Sequence, residues 1–121
     1  MMVGLHYIQQ PNMVIYKLLV EGLVDKNPGT NDGSTPLHSA AKYDHVEICI
    51  LLMEGLVDKN PRKNDGVTPL HSAAHCGRLE VCKLICKNIV EKNPTDDFGR
   101  TPISVARARG NIDIVSFLEN M

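Results

Sequence analysis

The sequence predicts an all-α repeat protein, in which units of two helices stack side by side into an α-solenoid. The first observation is a seven-residue segment, TPLHSAA, that begins at Thr35 and again at Thr68, with a weaker copy, TPISVAR, at Thr101. Each copy begins 33 residues after the one before. The second observation is that residues 21–53 and 54–86 are identical at 21 of 33 aligned positions. Such self-similarity at a constant period indicates a repeated structural unit.

Each unit carries local signals for two short helices. Threonine stands where an N-cap hydroxyl would accept a hydrogen bond, and proline follows at the first helical position, where a missing N–H costs nothing. The first helix is predicted to end near Asp44, Gly77 or Gly110, since a left-handed turn favours Gly and tolerates Asp. Apolar residues at helical spacing in 46–52 and 79–85 predict the second helix. The residues of the repeated motif are Thr35, Pro36, Leu37, His38, Thr68, Pro69, Leu70 and His71.

This 33-residue period, with two intact copies of TPLHSA, resembles the ankyrin-repeat family over essentially the whole chain. The resemblance implies an ankyrin-repeat α-solenoid of helix-turn-helix pairs with projecting hairpin-like turns. Asn-Asp-Gly at 31–33 and 64–66 supplies the chemistry for such turns. Ser104 and Arg107 replace the His and Ala of the motif in the last unit, which would give it a polar outer face. We expect one domain over 1–121, made of a degenerate N-terminal unit, two full units and a C-terminal capping unit, over residues 1–30, 31–63, 64–96 and 97–121.

Composition limits the kinds of partner and the location. The chain has 121 residues, a formal net charge of −1 and 43% hydrophobic residues. This near-neutral charge does not favour a nucleic acid or a membrane surface as a partner. The sequence has no run of about eighteen apolar residues, and its N-terminus lacks the basic-then-apolar pattern of a signal peptide. We expect a monomer located in the cytoplasm or the nucleus.

Residues that could serve catalysis or metal binding are better explained by structure. Cys49 and Cys82 occupy equivalent positions in the second helix, where a buried cysteine acts as a small hydrophobe, whereas a zinc site would need four converging ligands. Cys76 is expected to lie on the binding face of its first helix and to be the most reactive of the four cysteines. His38 and His71 resemble the ankyrin-family histidine that ties one unit to the next. No nucleophile, phosphate-binding or dinucleotide motif is present, so we expect no enzyme activity, cofactor or bound metal.

The ankyrin resemblance implies a protein–protein interaction scaffold, which binds another protein through a concave face of turn tips and first helices. An open alternative is a structural spacer or targeting module cut from a larger multidomain protein. Tyr43 is the expected aromatic anchor. The basic residues Arg62, Lys63 and His75 are followed along the stack by the acidic pair at 96–97, which predicts a partner with the complementary order of charges. The expected partner-binding residues are Lys42, Tyr43, Arg62, Lys63, Asp65, Val67, His75, Cys76, Asp96, Asp97, Phe98, Arg100 and Arg109.

Three asparagines form a separate group. Asn27, Asn60 and Asn93 occupy a turn position that resembles the asparagine-hydroxylation site of some ankyrin repeats. An asparagine that bonds the backbone of its own turn is the preferred alternative. Intact-mass spectrometry would distinguish the two, because hydroxylation adds one oxygen atom.

Overall fold

A computed structural model describes residues 32–55 and 58–121, and within these ranges all regular secondary structure is α-helical. The all-α prediction is therefore confirmed for the described part of the chain. The unit expected over 1–30 lies outside the described residues. The helices are α1 (Pro36–Lys42), α2 (Val46–Gly55), α3 (Pro69–Cys76), α4 (Leu79–Asn88), α5 (Pro102–Arg109) and α6 (Ile112–Glu119).

Each first helix begins with the threonine and proline of the repeated motif. In α3 the Thr68 hydroxyl accepts a hydrogen bond from the backbone N–H of His71 at 3.3 Å. In return, Nδ1 of His71 accepts one from the backbone N–H of Thr68 at 3.2 Å. This pair satisfies two backbone donors that a helix N-terminus leaves without intrahelical partners. The same arrangement recurs at Thr35 in α1, and at Thr101 in α5, where Ser104 replaces the histidine.

The first helices end in left-handed turns, as the sequence predicts. Gly77 and Gly110 follow α3 and α5, each with φ of 76°. Asp44 takes the same conformation after α1, with φ of 63°. This conformation costs a non-glycine residue about 1–2 kcal/mol, and aspartate is among the residues that adopt it routinely. The turn lets the second helix of each unit pack against the first.

The helices pack in two layers around one core. The first helices, α1, α3 and α5, contact one another in sequence, and so do the second helices, α2, α4 and α6. Leu37 and Leu70 are fully buried between the layers. Ala41 and Ala74 are also fully buried, and their small side chains let neighbouring first helices approach closely. Because each unit buries its apolar surface against the next, the stability of one unit depends on its neighbours.

Hairpin-like turns connect the units. In the turns over 63–67 and 96–100, the N–H of the first residue donates to the carbonyl of the last at 2.9 Å. Neighbouring turns are joined through their backbones, since the N–H of Asp97 donates to the carbonyl of Asp65 at 2.8 Å. Gly66 lies at this contact with φ of 85°, and a Cβ there would be 2.9 Å from the backbone nitrogen of Asp97. The glycine of Asn-Asp-Gly is therefore required by both conformation and space.

Two side chains at one repeat position tie neighbouring units together. Nε of Arg78 donates a hydrogen bond to the carbonyl of Lys42 at 3.1 Å. Nδ2 of Asn111, which lies 33 residues later, donates to the carbonyl of Ala74 at 2.8 Å. These carbonyls belong to the last turns of α1 and α3, where helix geometry provides no intrahelical donor. The residues that begin α4 and α6 thus cap the ends of α1 and α3, the first helices of the preceding units.

The outer surface of the last unit is polar. Ser104 and Arg107 are exposed, whereas the equivalent residues of the preceding unit, His71 and Ala74, are buried. Arg107 forms an ion pair with Glu119 across this surface. The capping role of 97–121 stays a prediction, and these side chains supply the polar face that it requires.

Candidate functional site

A cleft of about 230 Å³ lies beside α3. Its walls come from the end of α1, from α3 and α5, and from the turns over 63–67 and 96–100. Residues from three successive units therefore form one surface. Seven of the expected partner-binding residues line the cleft: Lys42, Lys63, Val67, His75, Cys76, Asp96 and Arg100.

Three further residues line the cleft that sequence reasoning did not place there: His71, Ser72 and Val105. Ser72 precedes His75 and Cys76 by three and four positions, which puts all three on one face of α3. Val105 occupies the position of Ser72 in the next unit, 33 residues later. Helical spacing from His75 identifies Ser72, and the 33-residue period then identifies Val105. The place of His71 in the repeated motif carries no signal that its ring also borders the cleft.

The other expected residues surround the cleft without lining it. Tyr43 and Phe98 are 59% and 72% exposed, so both aromatic rings are open to a partner. The Lys42 ammonium lies 5.3 Å from the centre of the Tyr43 ring, and the Arg100 guanidinium lies 5.1 Å from that of Phe98. Each ring is thus paired with a cation of the cleft wall. The surrounding residues are Tyr43, Arg62, Asp65, Asp97, Phe98 and Arg109.

Two of these surrounding residues have structural contacts of their own. Nη1 of Arg62 donates to the carbonyl of Thr95 at 2.8 Å and to that of Gly66 at 3.2 Å. The Asp65 carboxylate accepts from the backbone N–H of Val67 at 3.2 Å. Arg62 therefore links two turns, and Asp65 stabilises the turn in which it lies.

Asp96 differs from the expectation of an exposed acidic contact, because its side chain is only 1% exposed. Its carboxylate accepts hydrogen bonds from Nε of Arg100 at 2.7 Å, from the backbone N–H of Arg100 at 2.8 Å and from that of Phe98 at 2.9 Å. Burial alone would raise the pKa of the Asp96 carboxyl, but these hydrogen bonds outweigh it and hold the pKa below its usual value. The carboxylate shapes the turn and offers little negative charge to a partner.

Positive charges surround His75 on the cleft wall. Burial lowers the pKa of His75, and the charges of Arg109, Arg100 and Lys42 lower it further. The imidazole is therefore neutral at pH 7. Lys63, also on the wall, lies 3.6 Å from the Asp32 carboxylate. The wall thus combines lysine and arginine side chains with a neutral histidine.

His71 lies where the cleft meets the core, and it uses both ring nitrogens for structure. Nδ1 accepts from the backbone of Thr68, and Nε2 donates to the carbonyl of Arg100 in the next unit at 2.8 Å. His38 makes the equivalent bond to the carbonyl of Val67, also at 2.8 Å. Burial lowers the pKa of both imidazoles, so they are neutral at pH 7. These contacts match the tie between units that the motif predicts.

The four cysteines fall into two groups. Cys49, Cys82 and Cys86 are buried in the second helices, and burial raises the pKa of their thiols to about 12, 12 and 11. Cys76 is half-buried on the cleft wall, with its Sγ 3.9 Å from Nδ1 of His75. Within 32–55 and 58–121, no group of three His, Cys, Asp or Glu side chains is arranged to hold a metal ion.

The turn asparagines differ from one another. Asn60 donates its backbone N–H to the Asp58 carboxylate at 3.0 Å, while its buried Oδ1 has no hydrogen-bond partner among the described residues. Asn93 is exposed. Asn27 lies outside the described residues. Hydroxylation of these side chains stays a prediction.

Comparison with models of protein families identifies a match. The family model for ankyrin repeats, in three copies, matches residues 5–96. None of the curated proteins compared with the chain matches it significantly. No helix in the described part of the chain is long and apolar enough to cross a membrane.

Proposed function

Because the chain belongs to the ankyrin-repeat family, we propose that it binds a partner protein through the face formed by its first helices and hairpin-like turns. Ankyrin repeats are generally protein–protein interaction modules. The single observation that carries the finer proposal is the cleft beside α3, which gathers seven of the residues expected to contact a partner. We call the surface made by this cleft and its surrounding residues the inner face.

The construction of the inner face favours binding without large rearrangement. Backbone hydrogen bonds link neighbouring turn tips, and His71 and Arg62 fix the turn over 96–100 and Thr95 to the preceding unit. A binding surface held by rigid elements loses little conformational entropy when a partner docks. The exposed Tyr43 and Phe98 rings supply the kind of aromatic contact that dominates many interfaces.

The proposal has no catalytic component. Burial raises the pKa of the Cys49, Cys82 and Cys86 thiols, so these groups are protonated at pH 7. The motif histidines, His38 and His71, have both ring nitrogens in structural bonds. We also propose a monomer of the cytoplasm or nucleus, where the free thiols of all four cysteines are compatible with a reducing environment.

A peptide-display selection tests the binding face. Random peptides are selected on the intact protein, and each binder is then measured by fluorescence anisotropy against two variants. Ser72→Trp fills the cleft with an indole ring, whereas Ser116→Trp makes the same substitution at an exposed position on α6. We expect the first variant to weaken binding at least about tenfold and the second to leave it unchanged within about twofold.

Circular dichroism and urea unfolding verify that both variants fold. Lys42→Ala/His75→Ala provides a second cleft variant, since both side chains are exposed and their truncation leaves the core intact. Binders that tolerate every change in the cleft would show that the protein uses another surface. Failure to recover any specific binder would count against the binding role itself.

A further inference from the structure

The cationic groups at the cleft differ in how far their charges are already neutralised. Arg100 is paired with Asp96 at 2.7 Å, and Lys63 with Asp32 at 3.6 Å. Lys42 contacts the Tyr43 ring but, among the described residues, lies within 4 Å of no carboxylate. Arg109 likewise has no carboxylate partner within the described ranges, and the charges of both Lys42 and Arg109 lower the pKa of His75. Arg62 also lacks a carboxylate partner in the described part of the chain, but its guanidinium donates to two backbone carbonyls. Lys42 and Arg109 are therefore the two cations of the inner face that, among the described residues, have neither an ion pair nor a side-chain hydrogen bond, and we call them the uncompensated cations.

Most of the nearby carboxylates are engaged within the protein. Asp32 accepts from the backbone N–H of Ser34 at 3.0 Å, and this bond and the Lys63 charge hold the pKa of its carboxyl below the usual value. Asp65 accepts from Val67 within its own turn. Asp97 is exposed at a turn tip and does not line the cleft. Within the part of the chain that the structure describes, the carboxylates thus leave the charges of Lys42 and Arg109 open to a ligand.

The floor and size of the cleft limit what can enter it. Val67 and Val105 provide apolar surface, and Cys76 adds a small polarisable side chain. A volume of about 230 Å³ is smaller than the roughly 300–1,000 Å³ of small-molecule sites, but it accommodates a side chain of a longer segment. A nucleic acid fits poorly, because polyphosphate binding needs many cations and the protein carries a net charge of −1.

We propose that the cleft binds an acidic peptide segment of the partner protein. The segment places an apolar side chain over Val67 and Val105, with aspartate or glutamate carboxylates directed at Lys42 and Arg109. This inference rests on the proposed function. The sequence predicted a partner with both acidic and basic charges, whereas the buried and paired Asp96 leaves the acidic part of the partner as the part that the cleft recognises. The two ion pairs chiefly give selectivity and a faster encounter, since exposed charge pairs add little affinity by themselves.

The test uses the same random-peptide selection on the intact protein, followed by a matched pair of charge reversals. Lys42→Glu/Arg109→Glu reverses the two uncompensated cations, while Lys83→Glu/Lys87→Glu makes the same net-charge change on the exposed face of α4. We expect cleft-dependent binders to contain more Asp and Glu than Lys and Arg. We expect the first pair to weaken their binding at least about tenfold, and the second by less than about threefold. Raising NaCl from about 0.05 to about 0.5 M weakens binding to the wild type.

Unfolding midpoints establish that the variants fold, and Lys42→Ala/Arg109→Ala supplies a milder pair that removes the charges without reversing them. Cleft-dependent binders that are neutral or basic, or that tolerate both pairs, would overturn this inference and leave the proposed function standing. Absence of any cleft-dependent binder would overturn both. The protein could also bind mixed-sequence single-stranded RNA more tightly than acidic peptides and lose this binding in Lys42→Glu/Arg109→Glu. That result would overturn this inference and show that the two cations bind nucleic acid.

Discussion

At the scale of single residues, His71 shows how one side chain can hold both a helix and a neighbouring unit. Nδ1 accepts from the backbone N–H of Thr68, and Nε2 donates to the carbonyl of Arg100. These two bonds require the neutral ring with its proton on Nε2. Ser104 occupies the same position in the last unit. Its hydroxyl completes the helix cap, and its hydrogen bonds among the described residues are all to Thr101. A comparison of His71 with Ser104 therefore separates the stability that comes from the helix cap from the stability that comes from the hydrogen bond between units.

Replacing His71 by alanine should therefore cost more than replacing Ser104. His71→Ala removes the hydrogen bonds of both ring nitrogens and leaves buried partners unsatisfied, so we expect the free energy of unfolding to fall by about 2–3 kcal/mol. Ser104→Ala removes only an exposed cap contact and should cost about 0.5–1 kcal/mol. Urea unfolding followed by circular dichroism measures both. Equal losses would mean that the bond to Arg100 contributes nothing.

The protonation of His38 and His71 predicts a pH dependence of stability. Burial lowers their folded-state pKa below the 6.5 of a free imidazole, so the unfolded chain binds protons more readily. The stability that the neutral rings contribute is complete above about pH 6.5, and it is lost as the pH falls towards the lower folded-state pKa. The free energy of unfolding should thus decrease between about pH 7.5 and pH 5.

The double variant His38→Gln/His71→Gln isolates this effect, because glutamine can also occupy the third position of a capping box but does not titrate. Its stability should decrease less steeply over the same pH range. His75 remains in both proteins and contributes a pH dependence of the same sign. Only the difference between the slopes of the wild type and the double variant is therefore attributed to His38 and His71. Identical slopes would contradict the assignment to His38 and His71.

At the scale of elements, threonine caps the start of each first helix, and a side chain of the next unit donates to a carbonyl in the last turn of α1 and of α3. Local signals made most of this predictable: threonine and proline mark the helix starts, and Gly77 and Gly110 mark the ends, because these effects depend on adjacent residues. The ties made by Arg78 and Asn111 were not predictable. They use different residue types at one repeat position, and their acceptors are backbone carbonyls that carry no sequence signal.

A matched pair of asparagines tests the tie between units. Asn111 donates to the carbonyl of Ala74 in the preceding unit, whereas Asn120 donates to the carbonyl of Ser116 within its own helix, both at 2.8 Å. Asn111→Ala should lower the free energy of unfolding by about 1 kcal/mol. Asn120→Ala, at an exposed site, should lower it by less than about 0.5 kcal/mol. If Asn111→Ala lowered the free energy of unfolding by less than Asn120→Ala does, the hydrogen bond between units would have no stabilising role.

At the scale of the whole molecule, the candidate site exists only in the stacked chain. Lys42 and Lys63 come from one unit, His75 and Cys76 from the next, and Arg100 from the last described unit. The family resemblance predicted which positions in each unit would face a partner. It could not predict that Asp96 would be buried. An aspartate in a turn can either be exposed to solvent or accept hydrogen bonds from the backbone, and only the folded turn decides between the two. The row of Ser72 and Val105 needed helical register as well as repeat period.

Cys76 gives the most direct measurement of whether this composite cleft is the binding site. It is the half-buried cysteine on the cleft wall, while Cys49, Cys82 and Cys86 are buried and their thiols have pKa values raised to about 11–12. Brief treatment of the folded protein with iodoacetamide should therefore alkylate Cys76 first, as mass spectrometry of its peptides can show. With a selected peptide at saturation, we predict that the alkylation rate of Cys76 falls at least about fivefold, because a ligand in the cleft excludes the reagent. An unchanged rate at saturating peptide would contradict the account, since the ligand would then be bound away from the cleft.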